Sequence, residues 1–103
     1  MIWKADGNGN VLYSNSKFRK FINAPAGTAL NVLDEKIVHP EDYQASLSAF
    51  KVGNNEKKPF VVKRRLKCHD GKYYSFLTKG IPFINESTGD ILSWYGTCSS
   101  ADE

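Results

Sequence analysis

Residues 60–84 read FVVKRRLKCHDGKYYSFLTKGIPFI, and this stretch decides the fold. Phe60, Val62, Leu66 and Cys68 alternate with Val61, Lys63, Arg65 and Lys67, the two-residue repeat of a strand with one buried face. Asp70-Gly71 follows, a strong hairpin signal because both residues accept the backbone angles of a tight connection. Lys72 to Ile84 then predicts a return strand, in which Pro82, with no N–H to give, points to an edge position or a bulge. A turn at Asn85–Asp90 leads into Ile91-Leu92-Ser93-Trp94-Tyr95-Gly96-Thr97-Cys98, a third strand of the same meander.

Upstream, the period changes. His39-Pro40-Glu41-Asp42 is a helix start, with proline suited to the first helical position and two acids at the positive end of the dipole. Tyr43, Leu47 and Phe50 then share one face, and Gly53-Asn54-Asn55 closes the helix. Leu30, Leu33 and Ile37 keep helical spacing, so residues 28–38 predict one or two short helical turns. Ser14 and Asn15 are good caps for a short helix carrying Phe18, Phe21 and Ile22, which Pro25 and Gly27 end near Asn23. Before it, two short apolar runs flank Gly7-Asn8-Gly9-Asn10, the pattern of a hairpin. The reading is α+β: a five-stranded antiparallel sheet, its first hairpin joined to the later meander, with short helices on one face.

The chain has 103 residues, room for one domain spanning 1–103, and 41% hydrophobic content with 13% aromatic residues supplies a compact core. No apolar run approaches the roughly 20 residues that cross a bilayer, and the opening does not read as a signal peptide, so membrane insertion is not expected and a cytoplasmic location is. The two cysteines, Cys68 and Cys98, form no metal-type pair and read as reduced thiols. The net charge of +3 is too small to imply nucleic acid. The excess is local, in Lys57–Lys72, where Lys63, Arg65 and Lys67 share a strand face. That face reads as solvated, with phosphate contacts as the alternative.

These words, in this order, resemble the PAS sensor domain. Trp3-x-x-Asp6-x-x-Gly9-x-Val11-x-Tyr13-x-Asn15 is similar to the opening hairpin and helix cap of that family. Val38-His39-Pro40-Glu41-Asp42 is similar to its helix start, and Arg65-Leu66-Lys67-x-x-Asp70-Gly71-x-Tyr73 to its hairpin. Gly80-Ile81-Pro82, Gly89-Asp90-Ile91 and Trp94-Tyr95-Gly96-Thr97-Cys98 match its last two strands. There are departures: Ser75 stands where the hairpin usually has tryptophan, and Ser100 and Ala101 stand where the family commonly ends in an Asp-Ile pair that couples to the output. The resemblance implies a sensor or interaction module cut from a longer signalling protein, such as a sensor histidine kinase of a two-component system or a diguanylate cyclase. It would bias an attached effector on binding a small ligand or a partner.

The chemistry-bearing residues fit that reading. His39 and His69 have no nucleophile or orienting acid beside them in the text, and the pairs Asp34-Glu35 and Glu41-Asp42 read as helix-start charges, so no catalytic set is expected. The resemblance brings haem and flavin into question. A flavin-photoadduct cysteine is absent from residues 24–38, and Tyr43–Asn55 carries no axial histidine, which leaves His39 as a remote one. No cofactor or metal is expected. A metabolite pocket would be lined by Phe21, Leu33, Phe50, Val62 and Leu92, residues that would equally fill a dry core. Aromatics fall on both faces of the strand at 72–84, which implies that something covers the outer one. Tyr74, Phe76 and Trp94 are the expected interface, for a second copy or a neighbouring domain. A ligand-free dimerisation module is the alternative reading.

Overall fold

The structure is a computed structural model, and it describes residues 1–101; the last two residues of the expected domain lie outside the described residues. Strands β1 (Ile2–Ala5) and β2 (Val11–Ser14) form the first hairpin. Helices α1 (Ser16–Ile22) and α2 (Pro40–Glu56) follow, and β3 (Phe60–Lys67), β4 (Tyr73–Ile84) and β5 (Ile91–Ser100) complete a meander. The sheet runs β2-β1-β5-β4-β3, every pair antiparallel, so the first and last strands meet at its centre.

The helix caps form where the sequence places them. Asn15 Oδ1 accepts from Phe18 N at 3.1 Å, and Asn23 closes α1 in the left-handed region at φ 57°. His39 caps α2 through Nδ1, which accepts from Glu41 N at 3.0 Å, with Pro40 at the first helical position. The helix outruns its expected end: Gly53 is buried inside it and Lys57 forms the left-handed cap. Gly53 is retained for contact rather than termination, since a Cβ there would stand 3.0 Å from Trp94 Cη2.

One expectation fails. Residues 28–38 form turns and two isolated bridges, Asn10↔Asn31 and Val38↔Leu66, instead of helical turns. Val32 and Val38 are the buried residues there, while Leu33 and Ile37 are only partly buried. Asn31 and Asp34 divert the segment, because their side chains accept from Leu33 N and Lys36 N, local bonds that compete with a helix. The Val38 bridge also covers part of the free edge of β3, with His39 N donating to the Arg65 carbonyl and Lys67 N to that of Ile37.

The core lies between the sheet and α2. Trp3, Gly96, Gly80 and Phe60 stand in one row across β1, β5, β4 and β3. The two central glycines leave a trough in which the rings from the outer positions meet, their centroids 6.4 Å apart. Phe50 of α2 closes over this row, 5.7 Å from Phe60 and 5.6 Å from Trp94. Trp94 Nε1 donates to Asn54 Oδ1 at 2.8 Å, so the buried indole has its partner on the helix that covers it. Pro82 lies past the end of β3, which pairs only as far as Gly80, and the register shifts beside it at Phe83/Ile84.

Candidate functional site

The pleat sorts the sheet into two faces, and β3 sets the phase. Phe60, Arg64 and Leu66 are buried under the helices, and their partners Gly80, Phe76 and Tyr74 therefore point inward too. The structure places the three expected interface residues on this inner side of the sheet. Trp94 is fully buried in the core, Phe76 packs edge-on against Phe21 at 5.1 Å, and Tyr74 lies 6.0 Å from Phe21 on the same inner side. Aromatics occupy both parities of β4, so its text carried no phase of its own; pairing with β3 decided it.

The outer face belongs to the other parity. Ile2, Ile81, Phe83 and Tyr95 are each about half exposed or more, and among the described residues no helix covers them. Tyr95 stands opposite Ile81 on one side and Lys4 on the other, with Lys4 Nζ 5.3 Å from its ring centroid. Phe83 meets Tyr95 edge-on at 6.2 Å. A shallow, mainly apolar groove of about 280 Å³ runs between Ile2, Ile81 and Tyr95. At the other end of the face the basic stripe is partly neutralised. Arg65 donates through Nε to Asp42 Oδ2 at 2.9 Å and through Nη2 to Glu41 Oε2 at 3.2 Å, which removes one of the three cations that would have met phosphate. The Arg65 guanidinium, by hydrogen bond and charge, holds the Asp42 carboxyl below its ordinary range against the opposing effect of burial.

The residues expected to line one pocket divide among three places. Leu33, Phe50 and Val62 line a small internal cavity of about 10 Å³. Phe21 lies elsewhere, in an open recess of about 560 Å³ with Phe76, Tyr74, Cys68, Cys98 and Lys17. Leu92 lines neither and is 52% exposed. The ladder pairs Phe83 with Ser93 and Ile84 with Ile91, so Leu92 is the extra residue of a bulge, turned away from the sheet's alternation. Cys68 and Cys98 share the recess but not reach. Cys68 bonds back to Lys72 and Cys98 pairs with Thr78, six positions further along β4 or about 20 Å at strand rise, too far for a disulfide.

Sequence reasoning missed Arg64, one of the seven bases of the Lys57–Lys72 cluster. It is 4% exposed, with Nε donating to Thr78 Oγ1 at 3.1 Å and Nη1 to the Val32 carbonyl at 2.5 Å. The signal was present in the alternation, since Arg64 shares parity with Phe60, Val62 and Leu66.

Comparison with known proteins agrees with this architecture. A family model described as the PAS fold matches residues 11–98. Among curated proteins no sequence matches the chain. Among solved structures, the PAS-B domain of Drosophila melanogaster Cycle with bound ethylene glycol superimposes with a TM-score of 0.80 at 20% identity, covering 96% of this chain and 97% of that one. A sensory box histidine kinase/response regulator from Burkholderia thailandensis gives 0.72 at 16% identity, over 97% and 75%. The PAS domain of the fruit-fly ELK potassium channel gives 0.76 at 12%, over 99% and 86%. At these identities the neighbours speak for the fold alone, and the family model speaks for membership. The chain, with its five-stranded sheet and helices on one face, belongs to the PAS-fold family of sensor and interaction modules.

Proposed function

We propose that this PAS module works by docking through its outer sheet face. It would bias an attached effector, of histidine-kinase or diguanylate-cyclase type, when a second copy of the chain or a neighbouring domain engages that face. One observation carries the reading: Ile2, Ile81, Phe83 and Tyr95 form a contiguous apolar stripe on the face opposite the helices. In this reading the module contributes a difference in binding free energy between two states of the effector and no chemistry of its own, and it needs no haem or flavin.

Sedimentation of the purified chain tests it. Self-association that the Ile81→Glu and Tyr95→Lys double substitution abolishes, with the fold intact by circular dichroism, supports the reading. Association that survives the double substitution refutes it for this face. A second reading, of a small ligand held in the recess beside Phe21 and Phe76, is favoured by its volume, which falls in the range of about 300–1,000 Å³ common for ligand pockets. Native mass spectrometry, with a mass surplus that disappears on denaturation, distinguishes it.

A further inference from the structure

The strands carry Lys4, Lys63, Arg64, Arg65, Lys67 and Lys79 but no Asp or Glu. Among the described residues every acid lies in a connection or on α2. Pairing then sends these cations almost all one way. Arg64 is buried on the inner side, whereas Lys4, Lys63, Lys67 and Lys79 share the outer parity with Ile2, Ile81 and Tyr95. Arg65, on the same outer parity, is already held by Glu41 and Asp42 at the edge of β3. Among the described residues the ion pairs involve none of the four lysines. The outer face is therefore apolar and cationic at once, with no carboxylate on its strands.

The charges are interleaved with the apolar stripe rather than set at its rim. Lys79 stands between Val61 and Thr97, and Ile2 follows Thr97 in the same row. Lys79 also shares the groove of about 280 Å³ with Ile2, Ile81 and Tyr95. Lys4 stands between Tyr13 and Tyr95 in the next row on one side, and Lys63 opposite Leu77 in the next row on the other. A diagonal from Lys4 through Lys79 to Lys63 crosses about 20 Å at ordinary strand spacing and rise. A helix covers that length in about 13 residues. This pattern separates the occupants that docking through the outer face leaves open. A two-fold interface sets a patch against itself, and here every charge on the strands has one sign. In a second copy, lysine would meet lysine or apolar surface and never a strand carboxylate, the like-charge juxtaposition that rejects a partner.

We propose that the occupant of the outer face is an acidic amphipathic helix of another domain or chain. Its apolar residues enter the groove, its Asp or Glu side chains lie over Lys4, Lys79 and Lys63, and Lys79 sets the selectivity. The inference rests on docking through this face and narrows its occupant, setting the second copy aside. Apolar contact supplies the affinity. Exposed ion pairs add little to it, so the lysines act on partner choice and association rate. A phosphate backbone fits less well, because it offers nothing apolar to the stripe.

Fluorescence anisotropy of the purified chain with a labelled amphipathic peptide of about 14 residues tests it, the apolar face Leu and the flanks Glu. A control peptide carries Lys in place of Glu. The expected result is binding of the Glu peptide at least about tenfold tighter than the control, weakening as salt rises. Lys79→Glu should reverse that preference, and Lys63→Glu serves in its place should the first variant fail to fold. No binding, equal binding of the two peptides, or an unchanged preference in the variant overturns the proposal. Sedimentation of the chain alone separates this failure from that of the docking reading. Self-association that the Ile81→Glu and Tyr95→Lys double substitution abolishes keeps docking and overturns the acidic partner. Tighter binding to phosphatidylserine vesicles than to the Glu peptide, lost in Lys79→Glu, overturns it in favour of a bilayer.

Discussion

Replacing Gly96 by alanine tests the reasoning about the sheet's central row. An added Cβ would stand 2.0 Å from Trp3 Cζ2, 2.2 Å from Trp3 Cε2 and 2.5 Å from the Lys79 carbonyl oxygen. Carbon atoms attract at about 3.5–4.0 Å, so the indole must retreat by well over an ångström. It has nowhere to go: Trp3 is 1% exposed and lies against Phe60, and the Lys79 carbonyl is backbone of the neighbouring strand. Gly96 is not among the glycines at positive φ, so strain in its own backbone does not enter. Alanine gains about 0.4–1 kcal/mol through the unfolded chain. Overpacking a core costs about 1–3 kcal/mol and occasionally more, and a clash with both ring and backbone belongs at the upper end. The expected net loss is about 2–3 kcal/mol, or a fall in Tm of about 10–20 °C. Urea unfolding followed by tryptophan fluorescence and by circular dichroism measures it. Gly7→Ala is the control, because a Cβ there meets nothing within 4 Å and the residue is not at positive φ. Gly96→Ala within about 0.5 kcal/mol of the parent would refute the argument. So would an undiminished penalty in a Trp3→Phe background, where the smaller ring should relieve part of the clash.

Three further outcomes follow from the same geometry. Asp42 has a folded-state pKa below the ordinary 3.8, so its contribution is present above that value and is lost as pH falls through the lowered one. Asp42→Asn should therefore destabilise the chain at neutral pH and flatten the loss of stability in acid titrations below about pH 4. Asn15→Ala removes the α1 cap and the acceptor for Ile2 N, and should cost about 1–2 kcal/mol in chemical denaturation. Asn54→Ala leaves the buried Trp94 N–H without its acceptor, for a loss of about 1–3 kcal/mol by the same assay. If Asn54→Ala were neutral, water would be reaching an indole that is 0% exposed.

Local chemistry was legible in the sequence wherever a backbone group needed a particular residue type. Asn15, Asn23, Pro40 and Gly71 mark caps and a turn by what their side chains or positive φ permit, and the structure uses each in that way. The strand order of the meander and the family pattern were equally readable, because they rest on alternation and on short words in a fixed order. The candidate site was less so. Helical spacing at Leu30, Leu33 and Ile37 was overridden by the Asn31 and Asp34 side chains, a competition that periodicity does not register.

Alternation shows that a strand has two faces but not which of them meets the helices. Tyr73 and Tyr74 are the same residue on opposite sides, and only the pairing of Leu66 with Tyr74 and Phe60 with Gly80 turned one inward. The bulge that expels Leu92 exists only as a mismatch between two strands. The environment of Arg64 is likewise tertiary: the seven bases between Lys57 and Lys72 look alike as text until the sheet buries one of them beside Thr78 and Val32 and leaves Lys63 and Lys67 in water. The sequence by itself determined the five strands, the starts of both helices and the family, because those depend on neighbours along the chain. Which face is core, which is free to dock, and where a charge lies unpaired depend on neighbours across strands, and only the assembled sheet supplies them.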